Sequence, residues 1–338
     1  MAYPTPFATW AWMVSWVEHF GAGRLVRLLM VRDGDKFCAV LPLVESARTA
    51  RFRGLAGSGF EYLGVDSVYP DHLDLIAAPA HASACCEALI EHLDGSEARC
   101  DTLRLPMLTE DSVLFRSLTN RLTGWRTRAV EVARAPYLEI GGSYDDYLAT
   151  LSRNERYKLR SRCRKLIDGE GVEYCVIAPA EQASALECLF ELHEKRAAAK
   201  SVVSSFSRPT VLAFHRSLIS RLPADQVVLR ALRRADRTIA MFYGFRLGNR
   251  LFYFQLGHDP AWAAFSPGTV ILTQTIREAF EEVCLEYNFL QGEEAFKWTW
   301  TRQFRQLYEV HLYRTSVLGG AAHALAGVKD TIRRRLRR

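Results

Sequence analysis

Hydrophobic and polar positions alternate along this chain with two distinct periods, and the changes between them mark out elements. Near the start, Phe7, Trp10, Trp12 and Trp16 recur at helical spacing and predict an aromatic helix. Strand-like alternation follows at Leu25–Val31 and Phe37–Leu43, with Asp33-Gly34 between them suiting a tight hairpin turn. The pattern then predicts a strand at Leu73–Ile76, a helix at Ala80–Leu93, a strand at Thr102–Leu105 and a helix at Glu110–Leu122. Strand character returns at Thr127–Val132 and Tyr137–Ile140.

The second half reads as a helix over Ser143–Ile167, a strand at Val172–Ile177, and helices at Glu181–Ala199 and Pro209–Leu222. Three consecutive strands come next, Gln226–Leu232, Thr238–Leu247 and Arg250–Gly257, with short polar turns between them. A helix at Pro267–Val283 and short strands at Tyr287–Leu290 and Tyr308–Tyr313 complete the body. The halves echo one another. A shift of 201 positions lays Val26 on Val227, Leu28 on Leu229, Asp35 on Asp236 and Ala39 on Ala240, each time in a strand–turn–strand context. A mixed α/β (α+β) fold with a duplicated domain is the expectation, each copy a twisted sheet flanked by helices. The boundaries drawn are 1–131, 132–318 and a tail helix over 319–338.

Length and composition agree with two globular domains: 338 residues, 49% hydrophobic and 24% charged. No apolar run approaches the roughly 20 residues that span a bilayer, and Met1–Phe20 has no secretory pattern, so a cytoplasmic protein is expected. The eight cysteines are scattered with no CxxC pair, which reads as reduced thiols and no metal site. Charge is uneven. Residues 152–165 hold seven basic residues and one Glu, and Lys329–Arg338 hold six and one Asp; without them the net +6 becomes −5.

These basic segments invite separate readings. On a helix, Arg153, Arg156, Arg160 and Arg164 form one stripe, suited to an anion such as a nucleotide-sugar, a lipid head group, a coenzyme A phosphate or tRNA. The tail sets Ala321, Leu325, Val328, Ile332 and Leu336 on one face with arginines around them, suited to peripheral contact with an anionic membrane at its inner face. Other nucleic acid is not expected, because the body is acidic and no DNA-binding motif is present.

The densest chemistry lies between Arg250 and Trp300. A strand runs into Ser266-Pro267-Gly268-Thr269 and then a helix; Ser266 suits the cap, Pro267 the first turn, and Gly268 a close ligand approach. Such a helix terminus suits a pyrophosphate. Loop carboxylates Asp259, Glu293 and Glu294 are candidate general bases, with His193 and His258 as further titratable groups.

Gly257-His258-Asp259, Ser266-Pro267-Gly268, Tyr287 to Gly292 and Phe296-Lys297-Trp298, with the run Ser152–Arg160, His193 and Ile239-Ala240, resemble a known family. It is the GNAT-superfamily acetyltransferases of the cellulose or exopolysaccharide-biosynthesis type, relatives of the Fem peptidyltransferases. The resemblance implies tandem GNAT-like domains and acyl transfer from acetyl-CoA or another acyl-CoA to an amine or hydroxyl of a small polar or lipid-linked acceptor. It implies that the donor's arm pairs with Tyr253, Phe254, Gln255 and Leu256, its pyrophosphate lying over Ser266–Thr269. It marks Lys297 as a site residue; with the loop carboxylates Asp259 and Glu293 it makes up the expected catalytic set, while Arg153, Arg156 and Arg160 of the stripe, with His193 and His258, are the expected substrate-binding residues. Of the usual phosphate loop, Q/R-x-x-G-x-G/A, only Gly268 is retained, and Asn288 stands where relatives often carry Asp. Two other functions follow from the same residues: Fem-like transfer from aminoacyl-tRNA, and a non-catalytic binding protein of this fold. A monomer is expected, duplication standing in for dimerisation.

Overall fold

The computed structural model describes residues 3–47, 58–65, 68–95, 99–120 and 122–316. The predicted tail helix at 319–338 lies outside the described residues. The chain divides into two units: one takes the chain up to Ala133 and again from Gln306, the other is Arg134–Arg305.

In the first unit a 3-10 turn at Pro6–Ala8 leads into α1, Trp10–Phe20, capped by the Thr9 side chain accepting from Trp12 N–H. Trp12 and Trp16 are buried with Phe7, while Trp10 is 79% exposed and faces solvent. Strands β1 (Val26–Asp33) and β2 (Lys36–Glu45) form the predicted hairpin. After them come β3 (Gly59–Tyr62), β4 (Ile76–Ala77), α2 (Ala82–Asp94), β5 (Thr102–Thr109) and α3 (Val113–Asn120). Strand β6, Trp125–Glu139, is one long strand where two were predicted.

The second unit continues with α4 (Tyr144–Thr150), α5 (Arg153–Cys163), a π-helical turn at Arg164–Gly169, and β7 (Glu173–Val176). Where one helix was predicted over Ser143–Ile167, Leu151 and Ser152 are extended and the Ser152 side chain recaps α5 at Glu155 N–H. Helices α6 (Gln182–Ala199) and α7 (Pro209–Arg221) precede β8 (Val227–Arg234), β9 (Arg237–Leu247) and β10 (Arg250–His258). Helix α8 (Pro267–Glu281), β11 (Glu286–Asn288) and β12 (Phe304–Arg314) end the described chain.

The repeat inferred from the 201-residue offset is present in the backbone. The first hairpin pairs Val26 with Val44 and slips register between Val31 and Arg32; the second pairs Val227 with Phe245 and slips between Leu232 and Arg233. Both registers and both irregularities differ by 201. Gly34 and Ala235 hold the same left-handed turn position, φ +58° and +49°. The strand orders also match. The first unit runs β1-β2-β3-β5-β12 and the second β8-β9-β10-β11-β6, each pairing antiparallel, antiparallel, parallel, antiparallel. Strand β7 extends the second sheet beyond β8.

One boundary differs from the sequence reading. The strand predicted to end the second domain, β12, pairs through Leu307–Tyr313 with β5 of the first unit. The closing strand of the second sheet is instead the end of β6, Tyr137–Glu139, paired with β11. The first sheet is finished by the last described strand of the chain, and the second by the strand that precedes all its others in sequence.

Helix α8 lies in the core of the second unit, with Val270, Ile271, Ile276 and Ala279 fully buried against Leu251, Phe242 and Tyr287. Burying each such large apolar side chain contributes roughly 1.5–3 kcal/mol. A second aromatic group, His215, Tyr243, Phe245 and Phe254, has ring centroids 5.0–5.7 Å apart where paired. Among the described residues no helix is long and apolar enough to cross a membrane.

Candidate functional site

The β9–β10 hairpin turns through Gly248 and Asn249, both with positive φ, and delivers β10 into the middle of the second sheet. Only the start of β10 has a partner on its β11 side: Arg250, Leu251 and Phe252 pair in parallel with Glu286, Tyr287 and Asn288. There β11 turns away, with Phe289 N–H donating to Pro136 O and Leu290 N–H to the Asn288 side chain. Beyond Phe252, β10 stays paired to β9 as far as His258 but has lost its other neighbour. The strands part, and among the described residues no strand pairs with the β11 side of Tyr253–His258.

The register slip between Tyr253 and Gln255 decides what that edge presents. Phe254 turns into the aromatic group behind the sheet, while Tyr253 and Leu256 face a cavity of about 420 Å³. Two more walls are Glu155 and Arg162 of α5, and Arg196 and Lys200 at the end of α6. The far end is formed by His258, Ala263, Ser266–Thr269 and Leu272, and the near end by Phe296, Thr299 and Trp300.

Local chemistry fixes this end of α8. Ser266 holds a left-handed conformation, φ +54°, and its side chain makes no cap hydrogen bond, contrary to the sequence expectation. Its backbone carbonyl caps instead, accepting from Thr269 N–H at 2.9 Å and Val270 N–H at 3.2 Å. Pro267 has no N–H, so the donor left at the cavity wall is the Gly268 N–H. A Cβ at Gly268 would sit 3.3 Å from Leu256 Cδ2, so its absence keeps this wall low.

The cavity is electrostatically one-sided, with Arg162, Arg196 and Lys200 against the single carboxylate of Glu155. The Arg196 Nε is buried and has no hydrogen-bond partner among the described residues. An unpaired buried donor costs about 1–3 kcal/mol, so a ligand acceptor here would relieve a standing penalty. His258 lies between the cations and the helix terminus. Burial, helped by Arg196 and Lys200, lowers its pKa against the opposing effect of Asp259. Its Nδ1 lies 3.4 Å from Asp259 O.

Of the residues picked out from the sequence, Tyr253, Leu256, His258, Ser266, Pro267, Gly268 and Thr269 come together in this cavity. Phe254 faces the other side of the sheet, and Gln255 is not among the residues lining the cavity. His193 does not line the cavity. Its Nδ1 meets Ser204 Oγ at 2.8 Å, and burial, then Arg196, brings its pKa down to about 4.

The three named as catalytic sit elsewhere. Asp259 caps the following 3-10 turn at Ala261 N–H and pairs with Arg237; burial raises its pKa, but these partners outweigh it and leave it lowered. Glu293 is half-exposed and lies 3.5 Å from Arg134. Lys297 is 2% exposed and neither snorkels outward nor reaches the cavity. Its Nζ donates to Gln291 O at 2.6 Å and Leu290 O at 3.3 Å and pairs with Glu294 at 2.9 Å, closing its own turn. Arg156 is likewise spent, donating to Ala149 O and Leu151 O at the end of α4. Arg153 and Arg160 are exposed and outside the cavity.

Sequence reasoning missed Glu155, Arg162, Arg196 and Lys200, although a signal for them existed. Leu189, His193, Arg196 and Lys200 are spaced four, three and four, continuing one face of α6. Glu155 and Arg162 belong to the α5 face of Leu159 and Leu166, opposite the stripe that drew attention.

Residues 153–298 match the family model described as an acetyltransferase (GNAT) domain. The matched stretch lies within the second unit. Among solved structures, FemX is similar with a TM-score of 0.61 at 11% identity, 92% of each chain being covered. The structure of L-PGS from Bacillus licheniformis has a TM-score of 0.56 at 11% identity, with 96% of this chain and 98% of that one covered. The C-terminal domain of a putative lysylphosphatidylglycerol synthetase from Agrobacterium fabrum also reaches 0.56 at 11% identity, over 91% and 88%. At such identities the likeness is one of fold. No curated protein matches the sequence.

Proposed function

We propose that this protein is an acyltransferase that passes the acyl group of an acyl-CoA, acetyl-CoA in the first instance, to an amine or hydroxyl of a sugar or lipid-linked acceptor. The observation that supports this reading is the parting of β10 from β11 after Phe252, beside a cavity walled by three cations and closed by a helix N-terminus. The donor's phosphates would meet Arg162, Arg196, Lys200 and the Gly268 N–H. Its pantetheine amides would pair with the β10 edge from Tyr253 onward, as a missing strand would. The thioester carbonyl then lies where the strands part, and backbone N–H groups can hold its developing oxyanion. The nucleophile forms the new bond to the acyl carbon, the carbon–sulfur bond breaks, and the thiolate leaves as a thiol after taking a proton. Proton acceptors at the cavity wall are His258, kept neutral by its depressed pKa, and Glu155. Among the described residues no cluster of His, Cys, Asp and Glu suits a metal, and the reading requires none. We place the protein in the cytoplasm as a monomer, with the basic 319–338 segment as its contact with anionic membrane.

A second reading, transfer from an aminoacyl-tRNA, is favoured by one observation. Arg153, Arg160, Arg164 and Lys165 are exposed along α5 and the turn after it, beside Tyr157 at 71% exposure. Phosphate backbone is one partner for such a face.

Calorimetric titration with acetyl-CoA separates the readings. Saturable binding is expected in wild type, weakened roughly 10- to 100-fold in Arg196→Met, a charged hydrogen bond being worth about 1.5–3 kcal/mol. Folded Gly268→Glu should lose it altogether. Absence of binding by the folded wild type at millimolar acetyl-CoA, with binding of charged tRNA, would replace the first reading by the second.

A further inference from the structure

Between α6 and α7 the chain makes a loop, residues 201–208, that starts at the cavity wall, because Lys200 lines the cavity. The tip of this loop is apolar and bare: Val202 is 59% exposed and Val203 87%. We infer that the tip is a docking surface for an anionic phospholipid bilayer, the valines entering the head-group layer while the cations around them meet its phosphates. The inference goes beyond the acyl-CoA reading and does not depend on it.

The exposure of the valines is built into the loop. Ser201 holds a left-handed conformation, φ +54°, and Val202 N–H donates to Ala197 O at 3.0 Å, so α6 stops sharply and the chain turns outward. Beyond the tip the loop is fastened to the core. Ser204 Oγ meets His193 Nδ1 at 2.8 Å and accepts from Phe206 N–H at 3.1 Å, and both Ser204 and Phe206 are buried. The Phe206 ring packs against Phe190, His193 and His215 with centroids 4.8–5.3 Å apart. One short loop therefore buries its phenylalanine and holds two valines in water. Valine is stiff about χ1, so the pair has little side-chain freedom to lose on insertion.

Charge selects the partner. The fourteen residues Lys195–Arg208 carry Lys195, Arg196, Lys200 and Arg208 and no Asp or Glu. Lys195, Lys200 and Arg208 are exposed, as are Ala198 and Ala199 in the last turn of α6. An apolar tip ringed by cations matches a surface that is negative at its phosphates and apolar just below them. A nucleic-acid backbone would use the cations and leave the valines wet. Single strands seek exposed aromatic rings to stack on, and the aromatic ring of this loop is the buried one. A docked tip would also set the mouth of the cavity against the membrane, where a lipid-linked acceptor is presented.

The test is co-sedimentation of the full chain with phosphatidylcholine vesicles made with and without phosphatidylglycerol. Wild type should bind the anionic vesicles at least about 10-fold more tightly than the neutral ones. Val202→Ser/Val203→Ser should weaken that binding at least about 10-fold, with its urea midpoint and acetyl-CoA affinity unchanged. Val202→Leu/Val203→Leu adds one methylene at each position and should tighten binding by about 3- to 10-fold, a gain that misfolding cannot imitate. If the serine variant does not fold, the leucine variant decides: tighter binding supports the inference and unchanged binding overturns it. Wild type that ignores both kinds of vesicle overturns it, and so does equal binding to both. Equal binding by wild type and the folded serine variant overturns it too, leaving the 319–338 segment as the contact. Loss of tRNA binding in the serine variant, with vesicle binding intact, would give the loop to nucleic acid instead. Acetyl-CoA titration is read separately: if wild type does not bind it, the acyltransferase reading falls and the vesicle result stands.

Discussion

Helix α6 rests directly on β10 at Gly257, and adding a single methyl group there should move it. A Cβ built on Gly257 would lie 2.8 Å from His193 N, 3.0 Å from Leu192 Cβ and 3.1 Å from Leu189 O. Two of these three atoms are backbone and cannot rotate aside. Comfortable contact is about 3.5–4.0 Å, so Gly257→Ala requires α6 to back away by roughly 0.5–1 Å. Overpacking of this kind costs typically about 1–3 kcal/mol. For a unit of this size each kcal/mol lowers Tm by roughly 2–4 °C, so a fall of about 2–12 °C is expected. The consequence reaches the cavity, because Arg196 and Lys200 lie one and two turns beyond His193 on the shifted helix. Urea unfolding followed by tryptophan fluorescence, and acetyl-CoA titration of the same protein, read both effects. Gly141→Ala is the control, since a Cβ there meets nothing within 4 Å. If Gly257→Ala is as stable as Gly141→Ala, within 0.5 kcal/mol, the account of how α6 positions the cations is wrong.

Two more predictions concern buried polar groups. Burial takes the pKa of His215 down to about 3, and burial with Arg196 takes His193 to about 4. The unfolded chain therefore binds more protons than the folded one below about pH 6.5, and stability rises with pH across that window. Each histidine contributes about 2 kcal/mol of the loss between pH 7 and pH 5, and His215→Phe should remove about half of their joint slope in pH-dependent urea unfolding. Lys297→Met should cost about 1–3 kcal/mol in urea unfolding by orphaning two turn carbonyls, yet leave acetyl-CoA affinity within a few-fold of wild type. Loss of turnover by a fully folded Lys297→Met would restore it to the catalytic site.

Local pattern carried the hairpins, α8 and the β10 strand, because alternation and turn chemistry act over a few residues. The 201-residue offset, read from four matched residues, holds at the register slips as well, which the sequence did not predict. What stayed hidden depends on distant partners. Nothing near Lys297 in sequence reveals that the carbonyls of Leu290 and Gln291 close over it, nor that Arg237 claims Asp259. The conspicuous stripe of α5 is conspicuous because it is solvated; the residues that reach the cavity, Glu155 and Arg162, are interleaved with leucines and look like edge positions of a core face. Ser152 and Glu155 do carry a readable helix-start spacing, and that spacing marks the break that the run of arginines obscured.

The exchange of closing strands has a consequence for biosynthesis. β12 is made last among the described strands, yet it finishes the sheet begun by β1 and β2. As the chain leaves the ribosome, the edge of β5 must wait for nearly two hundred residues before its partner appears. An unpaired edge of that kind is a template for association with another nascent chain. Cutting the gene at residue 133 would not yield a self-sufficient N-terminal piece, and fusing the β12 segment onto that piece is the way to obtain one. Truncations that spare every residue lining the cavity but end before Phe304 should still fail, through the first unit, which supplies none of that lining.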